Sequence, residues 1–215
     1  ITKNHAVEDP YITAVLKEWQ MYSTVLGCKP LIREIHLGGG TPTFFKAENL
    51  EKLILGILKD AEVADDSGFS FEAHPANTTY EHLKSLYDLG FRRLSLGIQD
   101  FDPRVQEIIN RKQSIEQVYQ VTFQARHLGY TSVNYDLIYG LPLQTLSSVE
   151  YTINEVIKLM PDRIAYYSYA HVPWIKPGQR RFTEADLPED DAKRALYDKG
   201  RALLLEAGYP DISKL

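Results

Sequence analysis

The chain has 215 residues, 44% of them hydrophobic, enough for one sizeable core, and residues 1–215 read as a single domain. Its formal net charge of −5, from 24 Lys and Arg against 29 Asp and Glu, argues against a nucleic-acid or membrane-surface footprint, and no window is apolar for long enough to span a bilayer. One cysteine, Cys28, excludes an internal disulfide framework and any all-cysteine metal site built from this chain alone.

The expectation is a cytoplasmic monomer without nucleic-acid or membrane partners. Ile1-Thr2-Lys3-Asn4-His5 carries neither an initiating Met nor the basic and apolar regions of a secretory signal, so the chain reads as a piece of a longer protein. Ser213-Lys214-Leu215 spells a peroxisomal address, to which a fragment's end lends little weight.

In chain order, Pro10 to Leu26 has helical spacing, with Ile12, Val15, Leu16, Trp19 and Tyr22 on one stripe. A strand is predicted at 33–38, a helix from Lys46 to Leu58 with Leu50, Leu53, Ile54 and Ile57 inward, and a strand from Phe69. Thr79 to Leu89 is the next helix, with Tyr80, Leu83, Leu86 and Tyr87 as its stripe and Gly90 suited to cap its end. Strand 92–99 leads to helices near 103–110 and 114–128, strand 132–140 to a helix near 146–159, and strand 163–173, after a polar Pro-rich loop, to a last helix from Pro188 to Ala207. Strands that each feed a helix imply parallel pairing through right-handed crossovers.

Both an open doubly wound sheet and a closed or partly closed β/α barrel fit this alternation. Glu72, Gln99 and Asp136 fall near the ends of three different strands, in phase with Ser70, Gly97 and Asn134 two residues earlier. A carboxylate on an inner strand face is costly unless paired, so the groups either satisfy one another and nearby amides or face a polar ligand. Ligands of such barrels sit at the strands' C-terminal mouth, which favours a barrel and a ligand.

Gly38-Gly39-Gly40-Thr41-Pro42 follows the first strand at the same mouth. A tight turn needs only one or two glycines, whereas close backbone approach to a ligand explains more. The spacing is neither a dinucleotide fingerprint nor a phosphate loop, since G-x-G-x-x-G is absent and no Walker lysine follows.

With LSLGIQDF (94–101), DLIYGLP (136–142) and YSYAHVP (167–173) in register with that glycine segment, the chain resembles the radical S-adenosylmethionine (SAM) superfamily. Within it, the chain resembles the family of oxygen-independent coproporphyrinogen III oxidases of haem biosynthesis. The resemblance runs from about residue 5 to 209, and it implies a partial (β/α)6-type barrel of parallel strands whose first strand is missing from this chain. It also implies two cofactors, SAM and a [4Fe-4S] cluster, a one-electron reductant, and coproporphyrinogen III as substrate. In that family a 5'-deoxyadenosyl radical made from SAM takes a hydrogen from a propionate, and loss of carbon dioxide and one electron leaves a vinyl group, twice per substrate.

Matched residue by residue, the resemblance assigns Gly39, Gly40 and Thr41 to the methionyl end of SAM, Glu72 and Gln99 to its nucleoside or amino-acid part, Asp136 to its ribose, and Ala170 to a backbone contact with a second SAM. Arg111 matches an arginine pairing with the methionine carboxylate, although an Arg ending a short helix ordinarily faces water. His171 is equally a packed core histidine, and no catalytic residue is assigned. The family's C-x3-C-x2-C loop is absent, so the cluster's ligands, for which thiolates are required, lie outside this chain. Cys28, at the end of the first helix, reads as a buried or semi-exposed thiol. A haem chaperone sharing the same core is the alternative, and a barrel using SAM or a nucleotide without radical chemistry is a third reading.

Overall fold

A computed structural model describes residues 4–212, so the peroxisomal-type tripeptide at 213–215 lies outside the described residues. Five strands, β1 (Leu31–Leu37), β2 (Glu62–Ala73), β3 (Phe91–Gln99), β4 (Ser132–Tyr139) and β5 (Arg163–Ser168), lie in the order β1-β2-β3-β4-β5 in one sheet. β1 pairs parallel with β2, and β4 with β5. Before β1 comes α1 (Glu8–Leu26); α2 (Ala47–Leu58) and α3 (Tyr80–Asp88) follow β1 and β2, α4 (Pro103–Ile108) and α5 (Ile115–Leu128) follow β3, and α6 (Leu146–Leu159) and α7 (Asp190–Glu206) follow β4 and β5. A doubly wound sheet reverses its strand order at a switch point. Here the order is sequential throughout, which is the winding of a parallel (β/α) barrel and decides between the two architectures.

The described residues group into two compact units, one running to Ser95 and including Phe123–Val133, the other Leu96–Thr122 with the chain from Asn134 onward. In the first, Phe69, Phe71 and Leu94 alternate with less buried neighbours, and Phe91 stands 5.4 Å from Phe69 and 6.0 Å from Phe71, centroid to centroid. Rings buried this completely contribute about 2–3 kcal/mol each, which outweighs the weak intrinsic preferences of the segment. α1 and α2 lie side by side: Gly56 faces Leu16, and Trp19 Nε1 donates to Ile57 O at 3.1 Å. α2 stops at Leu58, and Tyr22, expected on the buried stripe but lying in the α1 turn beyond Trp19, is 60% exposed. Tyr80, expected on the α3 stripe, is likewise exposed, since it occupies the first helical turn beside its Thr79 cap. Cys28, just past α1, is exposed rather than buried.

β2 begins earlier than Phe69, at Glu62. Its register against β1 jumps between Ile32↔Val63 and Glu34↔Gly68, so the acidic residues Asp65 and Asp66 sit in an irregular stretch, where Arg33 Nη1 donates to both Asp66 oxygens at 2.9 and 2.7 Å. The two carboxylates disguise the strand in sequence.

In the second unit Leu96, Ile98, Tyr135, Leu137, Val149, Ile153 and Leu196 form the core. Tyr166 reaches α7, donating to Leu196 O at 3.2 Å over Gly200, where a Cβ would lie 2.5 Å from the phenol oxygen. β5 ends at Ser168 instead of running to Pro173; beyond it the chain bends over the aromatic group of Tyr169, His171 and Phe182.

Candidate functional site

In the first unit, the turn after β1 gives its three glycines different roles. Gly39 has φ +96°, which L side chains rarely adopt, and a Cβ on Gly38 would lie 2.8 Å from His36 Nε2 and 3.4 Å from Glu72 Oε1. Gly40 is required by neither: its φ is ordinary and nothing of the chain lies within 4 Å of a Cβ there. Its open side is therefore space against the backbone. Glu72 and Ser70 occupy the less buried face of β2, as their phase predicted; His36 Nδ1 lies 2.9 Å from Ser70 Oγ, and His36 Nε2 3.5 Å from Glu72 Oε1.

The segment after Thr41 is fixed from below. Pro42 and Thr43 are buried, Thr78 Oγ1 donates to Thr43 Oγ1 at 3.2 Å, and His82 Nε2 lies 2.7 Å from Phe45 O. The His82 Nδ1 accepts from Thr79 N at 3.1 Å, so Nε2 carries the proton and donates to Phe45. Glu8, 1% exposed, accepts from Lys46 N at 3.0 Å and Asn49 Nδ2 at 2.7 Å and pairs with His5. Burial pushes its carboxyl up, but the bonds from Asn49, His5 and Lys46 outweigh that and hold it below the ordinary glutamate value.

In the second unit, Asn110 at φ 54° turns the chain after α4 and brings Arg111 back onto β3. Its Nη2 donates to Gly97 O, while its Nε is buried without a hydrogen-bond partner. Burial lowers the guanidinium pKa to about 10, opposed by the charge of Asp136. A water-facing arginine is thus replaced by a half-buried cation whose Nε is buried with a donor to spare, the shape that suits a planar anion. Gln99 stands with it: a Cβ on Gly97 would lie 2.7 Å from Arg111 Nη2 and 2.8 Å from Gln99 Nε2. Asp136 is half-buried in β4, on the same alternate face as Asn134, as its phase predicted.

Ala170, past the end of β5, is exposed, and its carbonyl accepts from Gln179 Nε2 at 3.1 Å while Gln179 Oε1 accepts from Val172 N at 2.6 Å. One amide side chain thus takes the place of a neighbouring strand. The Nδ1 of His171 and the hydroxyl of Tyr169 are buried without partners, and Lys193 Nζ donates to Tyr169 O at 2.7 Å. Sequence reasoning left the bracing of Gln179 and the buried carboxylate Asp100 without a role; the signal for the latter was an acid between the apolar residues Ile98 and Phe101.

Residues 16–156 match the model of the radical SAM superfamily, well over half of the chain. The chain belongs to that superfamily. As a radical SAM protein it is 37% identical over 211 residues to the oxygen-independent coproporphyrinogen III oxidase of Pseudomonas aeruginosa, and 35% identical over 209 residues to that of Escherichia coli. Each alignment covers 97% of this chain and 46% of the relative, so the chain spans about half the length of the curated relatives it matches. The solved coproporphyrinogen III oxidase of Escherichia coli superposes with a TM-score of 0.92 at 35% identity, over 96% of this chain and 48% of that one. A radical SAM methyltransferase from Kitasatospora setae, at 13% identity and TM-score 0.57, shares the fold.

Membership implies SAM and a [4Fe-4S] cluster. In the second unit the residues fit the carboxylate end of SAM: a half-buried guanidinium with a buried, unpartnered Nε and an amide beside it over a glycine. They do not fit the cluster, because the chain's one cysteine is exposed and no group of three His, Cys, Asp or Glu among the described residues is arranged to hold a metal. None of the described helices is long and apolar enough to cross a membrane.

Proposed function

We propose that this chain is the SAM-binding part of an oxygen-independent coproporphyrinogen III oxidase, and that the full-length protein converts coproporphyrinogen III to protoporphyrinogen IX in the cytoplasm as a monomer. At each of two propionates one hydrogen atom is removed, the carboxylate leaves as carbon dioxide, and one electron passes to an acceptor, leaving a vinyl group. SAM, when bound, supplies the hydrogen-abstracting chemistry. The protein's part is binding, orientation and exclusion of competing reactions. The observation that carries the reading is Arg111, whose half-buried guanidinium, its Nε buried and without a partner, asks for a carboxylate such as that of a methionine.

In this reading Gln99 donates beside Arg111, Asp136 takes ribose hydroxyls, and Gly39, Gly40 and Thr41 offer strand-end backbone to an ammonium group. Glu72, held near His36, accepts from hydroxyl or ammonium donors of SAM, and the Ala170 backbone, braced by Gln179, serves a second SAM. A carboxylate has acceptor capacity only and suits hydroxyl or ammonium donors. The cluster and one-electron reductant are served by segments other than this one.

The test is anaerobic reconstitution of the full-length protein with iron and sulfide, then addition of SAM, a reductant and coproporphyrinogen III. Formation of 5'-deoxyadenosine together with protoporphyrinogen IX supports the oxidase. Deoxyadenosine without the porphyrin product points to another substrate, and neither product with haem bound instead moves the assignment to a haem chaperone.

A further inference from the structure

Gln99 sits at φ +67° at the end of β3, and Asp100 N donates to Ile98 O at 2.9 Å, closing a three-residue turn around it. A γ-turn with positive φ at its centre is the rare, strained kind, and glutamine has none of the local compensation that lets Asn or Gly adopt it. Such strain persists only where the surroundings over-determine it. Here they do. The Asp100 side chain, 1% exposed, accepts from Asp102 N at 2.6 Å, Thr152 Oγ1 at 2.9 Å and Gln144 Nε2 at 2.6 Å. Its carbonyl accepts from Gln106 Nε2 at 2.9 Å, and Gln113 Nε2 donates to Ile98 O at 2.5 Å. Gln144 also donates to Ile138 O at 2.8 Å, and Thr152 accepts from Phe101 N at 3.0 Å.

Four side chains from separate segments thus converge on three residues. Ending a strand needs no such investment, since a glycine would turn there without strain. The turn's product is the placement of Gln99 Nε2 next to Arg111 over Gly97. We propose that Asp100, held by Thr152 and Gln144, is a positioning residue that locks Gln99 in the strained turn and presents its amide to the ligand that Arg111 binds. The inference rests on the reading of this strand end as part of a SAM site, and it concerns residues that act through Gln99 without touching ligand.

The test is calorimetric titration of SAM into the reconstituted full-length protein, with the melting temperature of each variant measured alongside. Asp100→Asn and Thr152→Val are expected to weaken SAM binding at least fivefold. In a Gln99→Ala background the same changes should leave affinity where Gln99→Ala alone puts it, while still lowering the melting temperature, because their route to the ligand is gone. Gln99→Gly is expected to raise the melting temperature and weaken binding. Should Asp100→Asn fail to fold, Thr152→Val, which removes the bond to Asp100 and the acceptor of Phe101 N while leaving the carboxylate in place, carries the comparison. Wild-type affinity in both Asp100→Asn and Thr152→Val, or losses that add fully to that of Gln99→Ala, would overturn the positioning role and leave the network a plain strand terminator. Absence of SAM binding by the wild-type protein would instead remove the underlying reading, and the proposal with it.

Discussion

Arg111 Nη2 and Gln99 Nε2 occupy the space that a side chain on Gly97 would need, 2.7 and 2.8 Å from the position of its Cβ. Gly97 is not in a positive-φ conformation, so alanine is tolerable there for the backbone, and the cost falls on the two donors above it. Gly97→Ala is expected to leave the melting temperature within a few degrees of wild type and to weaken SAM binding about tenfold or more, equivalent to about 1.4 kcal/mol. Calorimetry on the two proteins decides it; equal affinities would mean that the donors over Gly97 do not meet the ligand.

Arg111 makes a second prediction through its charge. Burial lowers its pKa to about 10, with Asp136 opposing, so below pH 10 the guanidinium is charged in both folded and unfolded chains and folding bears the full cost of desolvating it. That cost is relieved as pH rises above 10 toward the ordinary arginine value. Arg111→Met, of similar reach, should therefore stabilise the ligand-free protein at pH 7 by about 1 kcal/mol, as replacement of a largely desolvated charge by packed apolar groups often does, while losing SAM binding. Binding to the wild type should fade above about pH 10, where the cation is lost. Denaturant midpoints and titrations across pH 8 to 10.5 test both halves, and a destabilised Arg111→Met would contradict the first.

Much of this fold was legible because burial alternates along the later part of β2 and β3 and through most of β4: Phe69, Phe71, Leu94, Leu96, Ile98, Val133, Tyr135 and Leu137 are buried, and the residues between them in each run are not. Glu72, Gln99 and Asp136 could be placed on the opposite face for the same reason. The early start of β2 was hidden by Asp65 and Asp66, whose stretch leaves the regular register. Tyr22 was misplaced because periodicity marks a stripe without saying where its partner helix ends. Arg111 could not be read as buried, since its position depends on the left-handed turn at Asn110, a conformation that sequence spacing does not encode.

Glu8 is expected to set part of the acid stability. Burial raises its pKa, but the bonds from Asn49, His5 and Lys46 dominate and hold it below the ordinary 4.5. A depressed carboxylate contributes stability that is present above the unfolded value and is lost as pH falls through the folded one. Glu8→Gln should cost about 1 kcal/mol at pH 7, since the amide can keep its oxygen toward Lys46 N and Asn49 Nδ2 but loses the charge on those bonds and puts an NH2 where Oε1 pairs with His5, and the difference from wild type should shrink below pH 4.5. Urea midpoints at pH 3.5, 5 and 7 would show it. A difference that stays constant across that range would mean that Glu8 is not held below its ordinary value.

The contact of α1 with α2 offers a test of packing independent of any ligand. A Cβ on Gly56 would lie 2.6 Å from Leu16 Cδ2 and 2.7 Å from Cδ1, closer than real contacts allow. Alanine has the better helix propensity by about 1 kcal/mol, and an exposed Gly→Ala change would stabilise. Here overpacking should win, because Trp19 is tied to Ile57 O one residue away and α1 cannot retreat without stretching that bond. Gly56→Ala is expected to destabilise by about 1–2 kcal/mol. Leu16→Ala alone should cost about 2 kcal/mol at this half-buried position, and the double variant should be more stable than the sum of the singles predicts, since the new methyl fills the vacated space. Chemical denaturation of the four proteins gives the coupling, and strict additivity would show that the helices separate freely.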